Sequence, residues 1–379
     1  MSQSITRRAC LQGLAATSAS LALPAAHAAP GDEILIGQSA HLTGPAAAQL
    51  VRVLKGQELA LEEFNERKGG VAGRKVRLIT LDDAYDPKRC VENVHTLIDK
   101  EKVVALYGLG STANVAAVLP VLAEKKVPLI SVYTGAPSLR TPQHPYFFTT
   151  MASYRDEVGK MVQNLVSGQR KRIAVAVLNN AFGKEMAPMV EDVAKEHGAS
   201  VVATQAIDIT GANAVNACKL LGDAKPDGLI IMAFGPMFVP TVKAARAYIG
   251  VPIYGPTIAN SRNSIEALGD EARGIAFTRL LPNALRPTLN VIRDYGAAME
   301  RAKIPIDYDH FFGYVNLRVL LEGLRRAGKS VTPQSLVTTM ERAGTMDIGG
   351  YKLNYGPNNH HGSKLVELTI IGPGGRYIS

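Results

Sequence analysis

Residues 34–87 read ILIGQSAHLTGPAAAQLVRVLKGQELALEEFNERKGGVAGRKVRLITLDDAYDP. An apolar run, 34–38, leads into a Thr43-Gly44-Pro45 turn. A helical pattern follows over 56–67, closed by the Gly69-Gly70 pair. A second apolar run, 76–81, ends in Asp82-Asp83. This strand–loop–helix–strand order is one βαβ unit, and it puts a polar, glycine-bearing loop at the carboxyl end of its first strand. In open α/β sheets ligands bind at that end.

The same alternation continues along the chain. Strands are expected over 103–107, 129–132, 173–178, 200–206, 228–233, 253–254 and 274–278. Helices are expected over 87–100, 113–125, 154–168, 183–197, 213–221 and 238–249. Short β-branched runs separated by helices of about three turns predict parallel sheets, and near-continuous apolar strands such as 173–178 predict burial on both faces. The pattern runs once from residue 34 to about Met151 and restarts at Arg172-Ile173. From Leu289 the chain turns mostly helical (289–301, 309–327 and 333–343), and 364–372 reads as a final strand.

The first residues are read apart from the fold. Arg7-Arg8 precede an apolar, small-residue run from Ala9 to Leu23, and Ala26-His27-Ala28 forms an A-x-A cleavage site. Residues 1–28 are therefore an expected export signal, cut after Ala28. Thr6-Arg7-Arg8-x-x-Leu11 fits the twin-arginine route, with an ordinary secretory signal containing two arginines as the alternative. The run is shorter than the ~20 residues a spanning helix needs, and no later segment reads as transmembrane. Loss of Arg7 and Arg8 lowers the formal charge from +9 to +7. Lys and Arg are scattered without a basic cluster, which argues against nucleic acid as a partner.

The residues quoted above resemble the leucine/isoleucine/valine-binding proteins of bacterial ABC importers. The resemblance rests on Ile36-Gly37, Leu42-Thr43-Gly44-Pro45, Asn65, Gly69-Gly70, Asp82-Asp83 and Asp86-Pro87, and weakens toward the C-terminus. It implies a periplasmic binding protein type I fold: two doubly wound parallel-sheet lobes joined by a hinge of three crossovers. These are expected near Met151, Leu281 and Gly349. Residues 30–151 with 282–349 would form the first lobe, and 152–281 with 350–379 the second. It further implies a monomeric solute-binding protein that captures a small organic ligand between the lobes and delivers it to an ABC permease in the inner membrane. A ligand-sensing subunit for a membrane receptor and an exported enzyme are the alternatives. The family's small first-lobe disulfide is not expected, because Tyr85 occupies the position of its first cysteine. Cys90 and Cys218, in separate expected helices, read as free buried thiols.

Five strand-end segments are candidate ligand contacts. Tyr107-Gly108-Leu109-Gly110-Ser111-Thr112-Ala113-Asn114 ends one strand and opens a helix. Ser111 or Thr112 can cap that helix, and free amides at a helix start favour an anion such as a carboxylate. G-L-G-S-T-A also fits a dinucleotide fingerprint, but the next strand ends in Ser131-Val132-Tyr133-Thr134 with no acid for a ribose, so no nicotinamide cofactor is expected. By resemblance, Thr112 matches the family's ligand-gripping serine. Its small and hydroxyl pair on the next loop falls at Tyr133 and Gly135, with Thr134 able to supply the hydroxyl. In the second half, Asn180 and Phe182 follow a strand end, with Phe182 where the family has a tyrosine, and Phe234 follows the next strand. Thr257 stands where the family's amino-acid binders place a glutamate that pairs with the ligand ammonium. A buried ammonium without a counter-charge is disfavoured. Unless Asp208, Glu185 or another acid reaches in, a small organic acid, an amide or an atypical amino acid fits better than an ordinary α-amino acid, and Tyr133, Phe182 and Phe234 leave room for an aromatic acid.

No metal or other cofactor is expected. Asp82, Asp83 and Asp86 read as turn and capping residues, and His360-His361 as part of a hairpin turn. No G-x-S-x-G or H-E-x-x-H pattern is present, and the chain is not read as an enzyme.

Overall fold

The structure, a computed structural model, describes residues 33–44 and 46–378; the expected export signal and its cleavage site lie outside them. Five strands form the first sheet: β1 (Ile34–Ala40), β2 (Val76–Asp82), β3 (Ala105–Gly110), β4 (Leu129–Tyr133) and β5 (Phe147–Phe148). Their order is β2-β1-β3-β4-β5 and every pair is parallel. Helices α1 (Ala47–Glu62), α2 (Pro87–His95) and α3 (Thr112–Lys125) connect them.

The second sheet repeats the plan. It contains β6 (Arg172–Leu178), β7 (Ser200–Ile207), β8 (Gly228–Met232), β9 (Ile253–Gly255) and β10 (Ala276–Arg279), in the order β7-β6-β8-β9-β10. Helices α4 (Tyr154–Ser167), α5 (Ala181–Glu196), α6 (Ala214–Asp223), α7 (Phe238–Tyr248) and the short α8 (Arg262–Leu268) accompany it. The chain then adds α9 (Asn290–Ala302), α10 (Tyr308–Ala327) and α11 (Pro333–Glu341) to the first lobe. A hairpin follows, β11 (Gly344–Ile348) with β12 (Tyr351–Tyr355). Finally β13 (Glu367–Ile371) and β14 (Tyr377–Ile378) extend the second sheet antiparallel beyond β10.

Both sheets are therefore doubly wound, with the strand order reversing between β1 and β3 and again between β6 and β8. Those reversals open a crevice at the carboxyl ends of the strands. Local chemistry agrees with each element. Every residue of β6 after Arg172 is buried, as expected for a strand covered by helices on both faces. The Asp86 carboxylate caps α2 through the Arg89 amide at 2.8 Å, with Pro87 in the first turn. Ser153 and Asp156 form a capping box that starts α4. Cys90 in α2 and Cys218 in α6 are buried free thiols.

The chain passes between lobes after Phe148, after Arg279, and between Tyr355 and Glu367. The third passage differs from the expected one near Gly349. Gly349 and Gly350, with φ of +63° and +95°, form the turn of the β11–β12 hairpin. That hairpin buries Met346, Ile348, Tyr351, Leu353 and Tyr355 in the core of the first lobe, with β11 against α10. The hairpin turn expected at 358–362 lies slightly earlier: Gly356 and Asn359 exchange amide hydrogen bonds at 2.9 and 3.0 Å around Pro357-Asn358, and 360–362 is the returning arm. The Thr149 amide donates to the His360 carbonyl at 2.8 Å and the Gly362 amide to the Thr149 carbonyl at 2.9 Å, so it runs beside the edge of the first sheet. His360 is fully buried there, its ring stacked 3.9 Å from that of Phe148.

Candidate functional site

The strand-end loops of both lobes enclose one cavity of about 230 Å³. From the first lobe, His41 follows β1, Tyr85 and Pro87 follow β2, Ser111, Thr112 and Ala113 follow β3, and Tyr133 and Thr134 lie at the end of β4. From the second, Asn180, Ala181 and Phe182 follow β6, Phe234 follows β8, and Thr257 and Ile258 follow β9. The lobes are closed over it. The Ser138 amide donates to Glu185 Oε1 at 3.1 Å, and Asn263 Nδ2 donates to the Ala48 carbonyl at 3.1 Å.

Polar groups gather at the start of α3. The Ser111 hydroxyl caps the helix, and the Thr112 and Thr134 hydroxyl oxygens are 2.8 Å apart. First-turn amides of a helix have no partner within it, so those of Thr112 and Ala113 add donors to the hydroxyls. The rings of Tyr154, Phe182, Phe234, Tyr85 and His41 follow one another at centroid distances of 5.3, 5.7, 6.1 and 5.4 Å, a continuous wall across both lobes. Burial holds the His41 imidazole below its usual value against the opposing pull of Asp83 and Asp82, so it is neutral near pH 7.

Of the residues expected from sequence, Ser111, Thr112, Tyr133, Thr134, Asn180, Phe182, Phe234 and Thr257 lie on this cavity, whereas Gly135 does not. The Gly135 carbonyl accepts the Tyr154 amide at 2.8 Å, and a Cβ there would stand 2.8 Å from the Tyr154 nitrogen; the glycine serves the approach of α4. Tyr133 offers its ring, not its hydroxyl. The phenol is tied to the Tyr107 hydroxyl at 3.1 Å and accepts from the Gln57 amide group. Asn180 spends its side-chain oxygen on the Gly183 amide, capping α5 at 3.1 Å. The Thr257 hydroxyl donates to the Thr278 carbonyl at 3.1 Å, and its amide to buried Glu157 Oε2 at 2.7 Å.

Residues 42–44 also stay off the cavity. The Leu42 and Thr43 amides and the Thr43 hydroxyl all donate to Asp82, at 3.0, 3.2 and 2.7 Å. Burial alone would raise the Asp82 carboxyl, but these donors and the Ala84 amide outweigh it and hold it at about 2. A depressed carboxyl stabilises the fold above its ordinary value and loses that contribution as the pH falls toward 2. Asp82→Asn should lower Tm by a few degrees near pH 7, with the gap to the natural protein closing between pH 4 and pH 2 in an acid series of melts.

Sequence reasoning did not find the far wall: Leu50 and Val53 of α1, Asn260 and Ser261, and Tyr308, Asp309 and Phe312 of α10. Asp309 is the one acid among the described lining residues. Neither Asp208 nor Glu185 reaches the cavity; Asp208 accepts from the Asn179 side chain at 2.9 Å.

The sequence profile of the periplasmic binding protein family matches residues 33–375. The chain belongs to this family. Among its relatives, a Leu/Ile/Val-binding protein of Rhizobium johnstonii is 27% identical over 357 residues, 92% of this chain and 94% of that one. A substrate-binding periplasmic protein of Ralstonia solanacearum superposes with a TM-score of 0.83 at 28% identity, covering 91% of this chain and 99% of that one. A possible leucine/isoleucine/valine-binding protein of Rhodopirellula baltica gives a TM-score of 0.84 at 25% identity, covering 93% and 98%. This periplasmic binding protein is thus a solute-binding protein of the type I fold.

Proposed function

We propose that this protein, exported and freed of its signal near Ala28, captures a small carboxylate-bearing organic ligand between its lobes and hands it to an ABC permease of the inner membrane. The observation that carries the reading is the cluster at the start of α3. The Thr112 and Thr134 hydroxyls, 2.8 Å apart, and the open first-turn amides face one cavity shared by both lobes. Amides at a helix start stabilise a carboxylate through direct hydrogen bonds and through the helix dipole. The rings of Phe182 and Phe234 close over it from the second lobe, and supply apolar area with little entropy lost on binding. The Rhizobium relative's name, a Leu/Ile/Val-binding protein, supports an amino acid-like ligand.

A thermal-shift panel of aliphatic acids, aromatic acids, amino acids and their neutral amides tests the reading. A ligand at 100 times its Kd stabilises by about 2.7 kcal/mol. Carboxylates are expected to raise the melt and their amides to leave it unchanged. Thr112→Val and Thr134→Val should each weaken the bound acid about tenfold or more, the loss of one hydrogen bond to a charged group. Amides that bind as well as acids, or valine variants with undiminished affinity, would remove the carboxylate from this site.

A further inference from the structure

The far wall has a different chemistry from the start of α3. Tyr308, Asp309 and Phe312 open α10, and residues three apart on a helix share a face, so Asp309 and Phe312 stand together. The Arg262 amide, from the second lobe, donates to Asp309 Oδ2 at 3.0 Å. No hydrogen bond reaches Oδ1 among the described residues. The nearby cations are engaged elsewhere: Arg52 with Asp307 at 2.8 Å and Glu266 at 3.8 Å, and Arg262 with Glu266 at 2.8 Å and the Gly375 carbonyl at 3.4 Å. No lysine or arginine lines the cavity among the described residues. An ionised carboxylate in such a place needs a cation, and the cavity itself supplies none. The Tyr133 and Phe312 rings, 5.5 Å apart, join this end to the hydroxyl end and offer aromatic faces that also favour a cation.

We propose that the cavity takes a bipolar ligand whose carboxylate sits at the start of α3 and whose protonated amine, separated from it by an apolar body, is held by Asp309. The inference rests on the carboxylate reading of the α3 end. It places the amine contact on the first lobe at Asp309, away from Thr257, and so selects a ligand with its amine remote from the carboxylate over an α-amino acid.

The pH dependence has a definite sign. Asp307, which caps α10, Tyr308 and His310 on α10, Arg52 on α1, Arg262 and Glu266 on α8 and Tyr377 on β14 surround Asp309. Burial pushes the Asp309 carboxyl up to about 7, against the hydrogen bond from the Arg262 amide. An amine requires the ionised form and displaces the proton, so its affinity rises with pH. A ligand that presents only a carboxylate to Asp309 meets the reverse.

Calorimetric titration of the intact protein with 6-aminohexanoate, 2-aminohexanoate and hexanoate separates the cases. 4-(Aminomethyl)benzoate against 4-methylbenzoate forms an aromatic pair. In at least one series the remote amine is expected to bind about tenfold or more tighter than its partners. That affinity should rise by roughly tenfold between pH 6 and pH 8. Asp309→Asn, which keeps an acceptor for the Arg262 amide, should abolish both the preference and the pH dependence, because the remote-amine ligand weakens while hexanoate or 4-methylbenzoate binds no more weakly than to the natural protein. Acids that bind equally well without the amine, a preference for 2-aminohexanoate, or an amine preference that survives Asp309→Asn would overturn the proposal and leave the carboxylate reading standing. If no carboxylate in either series binds, both readings fall.

Discussion

Gly313→Ala is expected to destabilise the protein by about 3 kcal/mol, at the upper end of ordinary overpacking. A Cβ at Gly313 would lie 1.9 Å from the Val53 carbonyl oxygen, and a Cβ at Gly56 would lie 1.9 Å from the His310 carbonyl oxygen. Helices α1 and α10 thus meet backbone against backbone at two reciprocal points. No side chain is available to move aside, so the helices themselves must separate. Their contact buries Leu50 and Val53 of α1 and Phe312 of α10, which are also cavity walls. Separation should therefore weaken ligand binding as well as folding. Gly56→Ala should have a similar effect. The double variant should cost less than the two costs added, because a gap opened by the first substitution accommodates the second. Urea unfolding of the three variants measures this. A Gly313→Ala variant within 1 kcal/mol of the natural protein would show that the helices can part at little cost.

The βαβ order of the first lobe and its repetition in the second are legible in the sequence because the inner strands, such as β3, β6 and β8, are short apolar runs buried on both faces. The hairpin of β11 and β12 shows its own signal, the alternation of Met346 and Ile348, then Tyr351, Leu353 and Tyr355, around Gly349-Gly350. Reading that glycine pair as a passage between lobes hid it. Strand β5, two residues long, and α8, seven residues long, are too short for periodicity to register.

The cavity divides along similar lines. Loops at strand ends are legible because the topology fixes where a strand end points, which is why Ser111, Thr112, Thr134, Phe182 and Phe234 could be placed there. Asp309 and Phe312 were not legible. They belong to a long helix whose pattern reads as core, and only the glycine-mediated contact of α1 with α10 brings its first turn to the cavity. Tyr133 and Asn180, expected against the ligand, do line the cavity, but their side-chain polar groups are committed to Tyr107, Gln57 and the Gly183 amide.

Thr257→Glu, which restores the acid that resemblance to the amino-acid binders leads one to expect, should destabilise this protein by about 3 kcal/mol at pH 8, the scale of an uncompensated buried charge. The reason lies beneath the loop. Fully buried Glu157 already accepts the Thr257 amide and the Thr278 hydroxyl on Oε2, while Oε1 has no hydrogen bond among the described residues. Burial pushes the Glu157 carboxyl up against those donors. A second carboxylate one side chain away would be raised as well. A raised carboxyl favours the protonated fold, so its cost is small below the unfolded value near 4.3 and grows as the pH rises. The variant should therefore approach the natural protein's stability at pH 4 and fall away from it by pH 8. In a Glu157→Gln background, where the side-chain oxygen can still accept the 257 amide, the same substitution should cost about 1 kcal/mol less or better, a coupling that denaturant-unfolding cycles resolve. An identical cost in both backgrounds would mean that the Glu157 charge is not what keeps an acid out of position 257. The expected coupling would instead make the neutral threonine a consequence of the acid beneath it.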